Sequence, residues 1–315
     1  MSRDALPRIP GFRLLRKLGA GASGTVFHAI QDGTDREVAL KLFAPADHPD
    51  ATLPEDVERE RRVAASLRHR NLARIHAMGE YGESRWLACE YLPGGTLAER
   101  IAARMPLNQV LDAVADIARG LGHAHARGVV HGDVKPGNVL FRDAHEAVLV
   151  DYGVAAFAHD APVALQGGTP DYMSPEQARG EAIDGRSDFY SLGITLHEML
   201  TGRIPPRLED GELLPHRIIP VLPARVRWLQ PLLDALLAED PDERPADARA
   251  LLAMLASLRV ASPEASALVS SAPAYDIPPR IHGITATRSS RRIWVWIALA
   301  ALLASGFGLK ALLSG

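Results

Sequence analysis

Pro93-Gly94-Gly95 divides the sequence into two parts of different character. Before it come short runs that read as strands: FRLLRKLG, GTVFHAIQ, REVALKLFA, ARIHAMGEYGE and SRWLACEYL, with Asp32-Gly33 placed to turn the second into the third. Runs of this length separated by turn residues predict a twisted antiparallel meander. One charged, helix-favouring stretch, EDVERERRVAASLR, interrupts them. Beyond the glycines the pattern changes to helices: TLAERIAARM, PLNQVLDAVADIARGLGHAHARG, and later segments around 188–201 and 225–256. A small β-rich lobe followed by a larger α-helical lobe is an α+β arrangement, and the cleft between two such lobes is the natural ligand site.

At 315 residues the chain can bury a sizeable core without disulfide staples. Its one cysteine, Cys89, excludes an internal disulfide framework and cysteine-based zinc sites and fits a reducing compartment. The balance of 35 basic against 38 acidic residues argues against a nucleic-acid partner, which would call for a clear positive excess. His123 and His125 stand two apart on a predicted helix and so face apart, which argues against metal binding there.

The far end is different again. From Ile293 to Leu309 no charge interrupts IWVWIALAALLASGFGL, and apolar residues continue past Lys310 to Leu313. A bilayer core takes about 20 such residues. The expectation is one transmembrane helix over 293–313, with Trp294 and Trp296 at the interface and Arg288, Arg291 and Arg292 holding the preceding side in the cytoplasm. The competing reading is a buried helix of a soluble domain, although globular helices are rarely so uniformly apolar. Residues 260–290, rich in Ser, Pro and Ala, read as a flexible juxtamembrane linker after a globular region of about 11–259. The chain is therefore expected to be single-pass in the cell (inner) membrane, its globular part cytoplasmic, with no room for a domain beyond the span. Ala300, Ala304 and Gly308 offer a small-residue stripe for a homodimer through that helix, though alanine is abundant throughout the chain.

Chemistry concentrates in four places. Gly19-Ala20-Gly21-Ala22-Ser23-Gly24-Thr25-Val26 fits G-x-G-x-x-G-x-V, where glycines admit phosphates close to the backbone and Val26 can cover a base. A strand follows it rather than a helix, which disfavours a dinucleotide-binding turn. Val38-Ala39-Leu40-Lys41 ends an apolar run on one lysine. Glu60, sharing its predicted helix with Val57, Ala64 and Leu67, is the first candidate for that lysine's acidic partner, and Glu58 the second. Then come His131-Gly132-Asp133-Val134-Lys135-Pro136-Gly137-Asn138 and Val148-Leu149-Val150-Asp151-Tyr152-Gly153. Two acids, a lysine and an asparagine on two short loops are the inventory of phosphoryl transfer: a base, a cation for the moving group and oxygen ligands for magnesium.

In order along the chain, these motifs and Gly168-Thr169-Pro170-Asp171-Tyr172-Met173-Ser174-Pro175-Glu176 resemble the protein kinase family, most of all bacterial membrane-linked Ser/Thr kinases. The resemblance covers roughly residues 11–258 and implies a two-lobed protein-kinase-like fold, with an N-lobe of about 11–90 and a C-lobe of about 91–259. It implies ATP as phosphoryl donor, Mg²⁺ (with Mn²⁺ as a substitute), protein substrates bearing Ser or Thr, and a cognate protein phosphatase. Asp133 would be the catalytic base and Lys135 would contact the γ-phosphate. Asn138 and Asp151 would bind the metal, and Lys41 would pair with the α/β-phosphates and with Glu60. Glu90 to Leu92 resembles the hinge that bonds adenine through its backbone, with Cys89 at the gatekeeper position. Glu176 would pair with Arg244, and Asp188 would anchor the catalytic loop. His131 reads as packed rather than catalytic, because the chemistry already has its base.

Two positions depart from the family pattern. Gly132 replaces the arginine that many kinases use to bind a phosphorylated activation-loop residue. Between Asp151 and Glu176 the only hydroxyl acceptors of the Ser/Thr type are Thr169 and Ser174, both in the terminal block. Activity independent of activation-loop phosphorylation is therefore expected. Tyr152 stands where phenylalanine is usual and reads as tolerated. A small-molecule phosphotransferase is disfavoured by the complete terminal block. A pseudokinase or a scaffold without turnover is disfavoured because Lys41, Asp133, Asn138 and Asp151 are all present.

Overall fold

The computed structural model describes residues 6–21, 24–43, 67–82, 84–151, 156–157, 169–205 and 219–261. Ala22, Ser23, Glu58, Glu60, Tyr152, the linker from 262 onward and the span expected at 293–313 lie outside the described residues. Among the described residues no helix is long and apolar enough to cross a membrane.

Strands β1 (Phe12–Gly21), β2 (Gly24–Gln31), β3 (Arg36–Phe43), β4 (Ile75–Tyr81) and β5 (Ser84–Glu90) form one antiparallel sheet in the order β1-β2-β3-β5-β4. Its placement of the site follows from the two-residue period of a strand. Val38 and Leu40 are fully buried on one face with Ile9, Phe12, Ala29 and Ala88, and Trp86 meets Phe12 edge-on at 4.8 Å. Ala39 and Lys41, between and beyond them, therefore project from the opposite face, which roofs the cleft. Val26 pairs with Lys41 across the ladder and shares that roof.

Gly24 opens β2 at φ +137°, and a Cβ there would lie 1.9 Å from the carbonyl oxygen of Leu42. Both the dihedral and the clash exclude a side chain. Gly24→Ala is expected to cost about 1–3 kcal/mol of stability, read as a lowered midpoint of chemical denaturation. An unchanged midpoint would mean that the β2–β3 ladder yields at no cost.

After β5 the chain enters the helical lobe through α1 (Leu97–Ala102), started by a reciprocal capping box between Thr96 and Glu99. The long helix α2 (Leu107–His125) carries Val110, Val114, Ile117 and Leu121, spaced at three and four, fully into the core. Burial of each is worth about 1.5–3 kcal/mol relative to exposure. Around α2 pack α4 (Gly185–Thr201) and α6 (Ala248–Ala261). The short α3 (Pro175–Ala178) precedes α4, and α5 (Gln230–Leu236) packs against α4. The helical region expected around 225–256 consists of a 3-10 turn at Ala224–Leu229, then α5, then a break through Asp240-Pro241-Asp242-Glu243-Arg244-Pro245 before α6. Two prolines and an Asp240 cap explain the break.

Two small ladders complete the lobe. β6 (Val129–Val130) pairs with β9 (Ala156–Phe157), and β7 (Val139–Phe141) forms a hairpin with β8 (Ala147–Leu149). The hairpin joins the lobes: Leu149 donates its N–H to the Asn71 carbonyl (2.9 Å) and accepts from Ala73 N–H (2.8 Å). Between β6 and β7 runs the loop of Asp133, and directly after β8 comes Asp151.

Candidate active site

A cleft of about 450 Å³ lies between the sheet and the β7–β8 hairpin. Val26 and Ala39 line its roof, Leu140 and Val150 its floor, and Cys89 to Leu92 its closed edge. A slot lined above and below by Val26, Ala39, Leu140 and Val150 offers apolar faces suited to a planar heterocycle. Polar groups gather at the other end, where Lys41, Asn138 and Asp151 converge. A larger cavity of about 720 Å³ opens between α1, the start of α2 and the end of α4, but contains none of the motif residues. The motif residues gather at the smaller cleft.

Lys41 Nζ donates to Asp151 Oδ1 at 2.8 Å. Asp151 takes up a left-handed backbone conformation (φ 65°), uncommon for a residue with a side chain and a mark of a held functional position. Asn138 Nδ2 donates to both the carbonyl (2.9 Å) and the Oδ2 (2.8 Å) of Asp133. With the amide nitrogen so used, Asn138 Oδ1 is the atom left to turn toward a cation. An amide oxygen and a carboxylate make a hard oxygen donor set that suits Mg²⁺ completed by phosphate oxygens and water. Among the described residues no three His, Cys, Asp or Glu cluster as a metal site of their own.

Asp133 is held from three sides. Its Oδ2 accepts from Asn138 and from Lys135 Nζ (2.6 Å), and its Oδ1 from the backbone N–H of Thr169 (3.0 Å). Lys135 Nζ also donates to Thr169 Oγ1 at 2.5 Å. The lysine thus ties the loop of Asp133 to the segment that runs into α3.

The loop rests on Asp188, near the start of α4 and almost wholly buried. Asp188 accepts from the N–H groups of His131 (2.9 Å) and Gly132 (2.8 Å) and from His125 Nε2 (2.7 Å). Burial alone would push its carboxyl up, but these donors outweigh it and hold the group below the usual carboxylate range. His131 uses both ring nitrogens, Nδ1 accepting from Asp133 N–H and Nε2 donating to the Val150 carbonyl, so the ring braces the loop. Glu176 and Arg244 form a two-pronged pair at 2.6 and 2.9 Å, closed by Ser187 Oγ at 2.5 Å.

With the geometry in hand, the family model for the protein kinase domain matches residues 12–255. The chain belongs to the protein kinase family. This kinase domain is 33% identical over 281 residues to serine/threonine-protein kinase pkn2 of Myxococcus xanthus, covering 82% of this chain and 33% of that protein. It is 33% identical over 252 residues to serine/threonine-protein kinase PknJ of Mycobacterium tuberculosis, covering 74% of this chain and 43% of the relative. To serine/threonine-protein kinase PrkC of Bacillus subtilis it is 36% identical over 211 residues, 65% of this chain and 32% of that one. The chain thus spans 32–43% of the length of these relatives. The crystal structure of the Mycobacterium tuberculosis PknI kinase domain superposes with a TM-score of 0.65 at 28% identity, covering 82% of this chain and all of that one. The kinase fold, with its β-sheet N-lobe and helical C-lobe, is as expected.

Of the residues singled out in the sequence, the kinase domain brings Gly19, Val26, Lys41, Glu90, Leu92, Asn138 and Asp151 to one cleft, with Asp133 and Lys135 at its mouth. Glu90 turns its side chain away, into an ion pair with Arg142 at 2.8 Å, so only its backbone edges the slot. Sequence reasoning missed the closure of Thr169 onto Lys135, the support of Asp188 by His125, and Gln177, whose Nε2 donates to the Gly132 carbonyl at 2.9 Å. Each joins residues dozens of positions apart, and no local spacing announces it.

Proposed function

We propose that this protein is an ATP-dependent serine/threonine protein kinase that transfers the γ-phosphate of ATP to Ser or Thr hydroxyls of protein substrates. The observation that carries the reading is the Asp133 carboxylate, fixed by Asn138, Lys135 and Thr169 N–H beside a cleft with apolar walls. In this reading Asp133 orients the incoming hydroxyl and takes its proton. Lys135 offsets negative charge where the phosphoryl group moves, and its bond to Thr169 holds the acceptor-side segment against that point. Lys41 reaches the inner phosphates, exchanging part of its contact with Asp151 for them. Glu60 would complete its pairing. Asn138 and Asp151 would hold Mg²⁺, which when bound neutralises the phosphate oxygens.

Activity independent of activation-loop phosphorylation is part of the proposal. It is supported by Gly132, which offers no guanidinium for a phosphate, and by contacts that tie Asp133 and Lys135 directly to Thr169. The apolar run at 293–313 supports a single membrane anchor, with the kinase domain on the cytoplasmic side and a pairing surface at Ala300, Ala304 and Gly308.

The test is transfer of label from γ-labelled ATP to a generic protein acceptor, before and after exhaustive treatment with a protein phosphatase. Mg²⁺-dependent label on Ser or Thr, unchanged by the pretreatment, is expected. Nucleotide binding without transfer sinks the kinase reading. Transfer abolished by dephosphorylation sinks the loop-independence alone.

A further inference from the structure

Gly132 occupies the place where a phosphate-binding arginine would otherwise join the catalytic loop to the activation segment, yet the two are joined here. The join is made by Gln177. Its Oε1 accepts from the backbone N–H (3.1 Å) and the hydroxyl (3.1 Å) of Ser174, completing the cap of α3. Its Nε2 donates to the carbonyl of Gly132 at 2.9 Å. One amide thus spends its acceptor on the end of the activation segment and its donor on the residue before Asp133.

Gly132 is held from the opposite side as well, its N–H donating to Asp188 Oδ1 at 2.8 Å. Its φ of +75° belongs to the left-handed region, where glycine is at ease and other residues are not. A peptide clamped at both polar groups in that conformation fixes the direction in which the chain enters Asp133. α3 is itself anchored, since its Glu176 is locked to Arg244. The chain of contacts runs Arg244, Glu176, α3, Gln177, Gly132, Asp133.

We propose that Gln177 is the positioning residue that latches the activation segment to the catalytic loop, its amide accepting from the one and donating to the other. The inference rests on the kinase reading above and says how the residue before Asp133 is held for that activity. It also sets a chemical requirement: position 177 must both accept and donate. Glutamine does both. Glutamate can cap α3 but, when ionised, has no proton for the Gly132 carbonyl and places a charge against that oxygen. Protonated glutamic acid again has one acceptor and one donor and mimics the amide.

The requirement dictates the experiment, done on the full chain. Wild type, Gln177→Glu and Gln177→Met are compared for kcat and for KM of ATP from pH 5.5 to 8, with thermal midpoints as a check on folding. At pH 8 the Gln177→Glu protein is expected to have kcat about tenfold below wild type, the loss of one charge-sensitive contact, with KM for ATP little changed. The ratio of its kcat to that of wild type should climb toward one as pH falls and the introduced carboxyl, raised by its setting, takes a proton. Gln177→Met should be slow at every pH. His131 and Asp133 on the loop, Asp188 on α4 and Glu176 on α3 are common to all three proteins, so the ratio isolates position 177.

A Gln177→Glu protein equal to wild type at pH 8 overturns the latch. So does a deficit that does not change with pH, which would reduce Gln177 to a helix cap. If Gln177→Glu does not fold, a folded Gln177→Met with wild-type kcat overturns the proposal equally. A wild-type chain that binds ATP without transferring phosphate fails the kinase reading instead, and the latch with it.

Discussion

Asp133→Asn is expected to lower phosphoryl transfer by about 10²–10⁴-fold, the usual worth of a positioned general base. Binding of MgATP should persist, because Asp133 lies at the mouth of the cleft and does not line the slot that takes the base. The substitution keeps volume and one oxygen but removes the proton acceptor. It also disturbs the support, since all three partners of this carboxylate are donors: Asn138 Nδ2, Lys135 Nζ and Thr169 N–H. An amide can satisfy these with one oxygen only, and its NH₂ must face a donor. Single-turnover transfer measured beside nucleotide affinity separates the outcomes. A large fall in rate at unchanged affinity is the expected pair of results. A variant within tenfold of wild type would remove Asp133 from the chemistry. Loss of affinity and rate together would make it a fold-determining residue.

The parts of this site that could be read in the sequence are those built from contiguous chain. The loop from His131 to Asn138 carries carboxylate, lysine and amide within a few residues, so its spacing is its geometry. The alternation in Val38-Ala39-Leu40-Lys41 likewise states which face the lysine takes once the strand is assumed. Contacts between distant segments were not legible. His125 could be argued away from metal binding, but its bond to Asp188, sixty-three positions on, depends on α2 lying against α4. Gln177 reads locally as the third residue of a capping box and nothing more, and its second bond exists only because Gly132 presents a carbonyl from another loop. The pairing of Glu176 with Arg244 was legible only through family resemblance, because a charge match across that separation has many equivalents in a chain with 35 basic residues. The helical character of 225–256 was legible from its apolar periodicity, and the break within it follows from two prolines and a capping aspartate.

That distant pair should dominate stability. Arg244 and Glu176 have side chains 0% and 5% exposed, and the guanidinium also donates to the carbonyls of Ala238, Glu239 and Arg186. Arg244→Ala leaves a carboxylate in the interior with Ser187 as its remaining side-chain donor. Breaking a buried pair costs about 3–5 kcal/mol, which for a domain of this size is a fall in Tm of about 6–20 °C. The pH dependence distinguishes this from simple loss of packing. In the wild type, burial would push Glu176 up, but Arg244 and Ser187 hold it below its ordinary value of 4.5. A carboxyl lowered on folding contributes stability that is fully present above its unfolded pKa and is lost as pH falls through the folded one. Without Arg244 the burial acts nearly alone, the folded pKa rises above the unfolded value, and the sign reverses: the ionised carboxylate destabilises at neutral pH, and protonation relieves it. The gap in Tm between wild type and Arg244→Ala should therefore be widest near pH 7 and narrow toward pH 4.5, as calorimetry at several pH values would record. Asp188, lowered in both proteins, adds the same acid sensitivity to each and cancels in the difference. A gap that stays constant with pH would assign the loss to the packing of Arg244 against Tyr190 rather than to the charge it leaves behind.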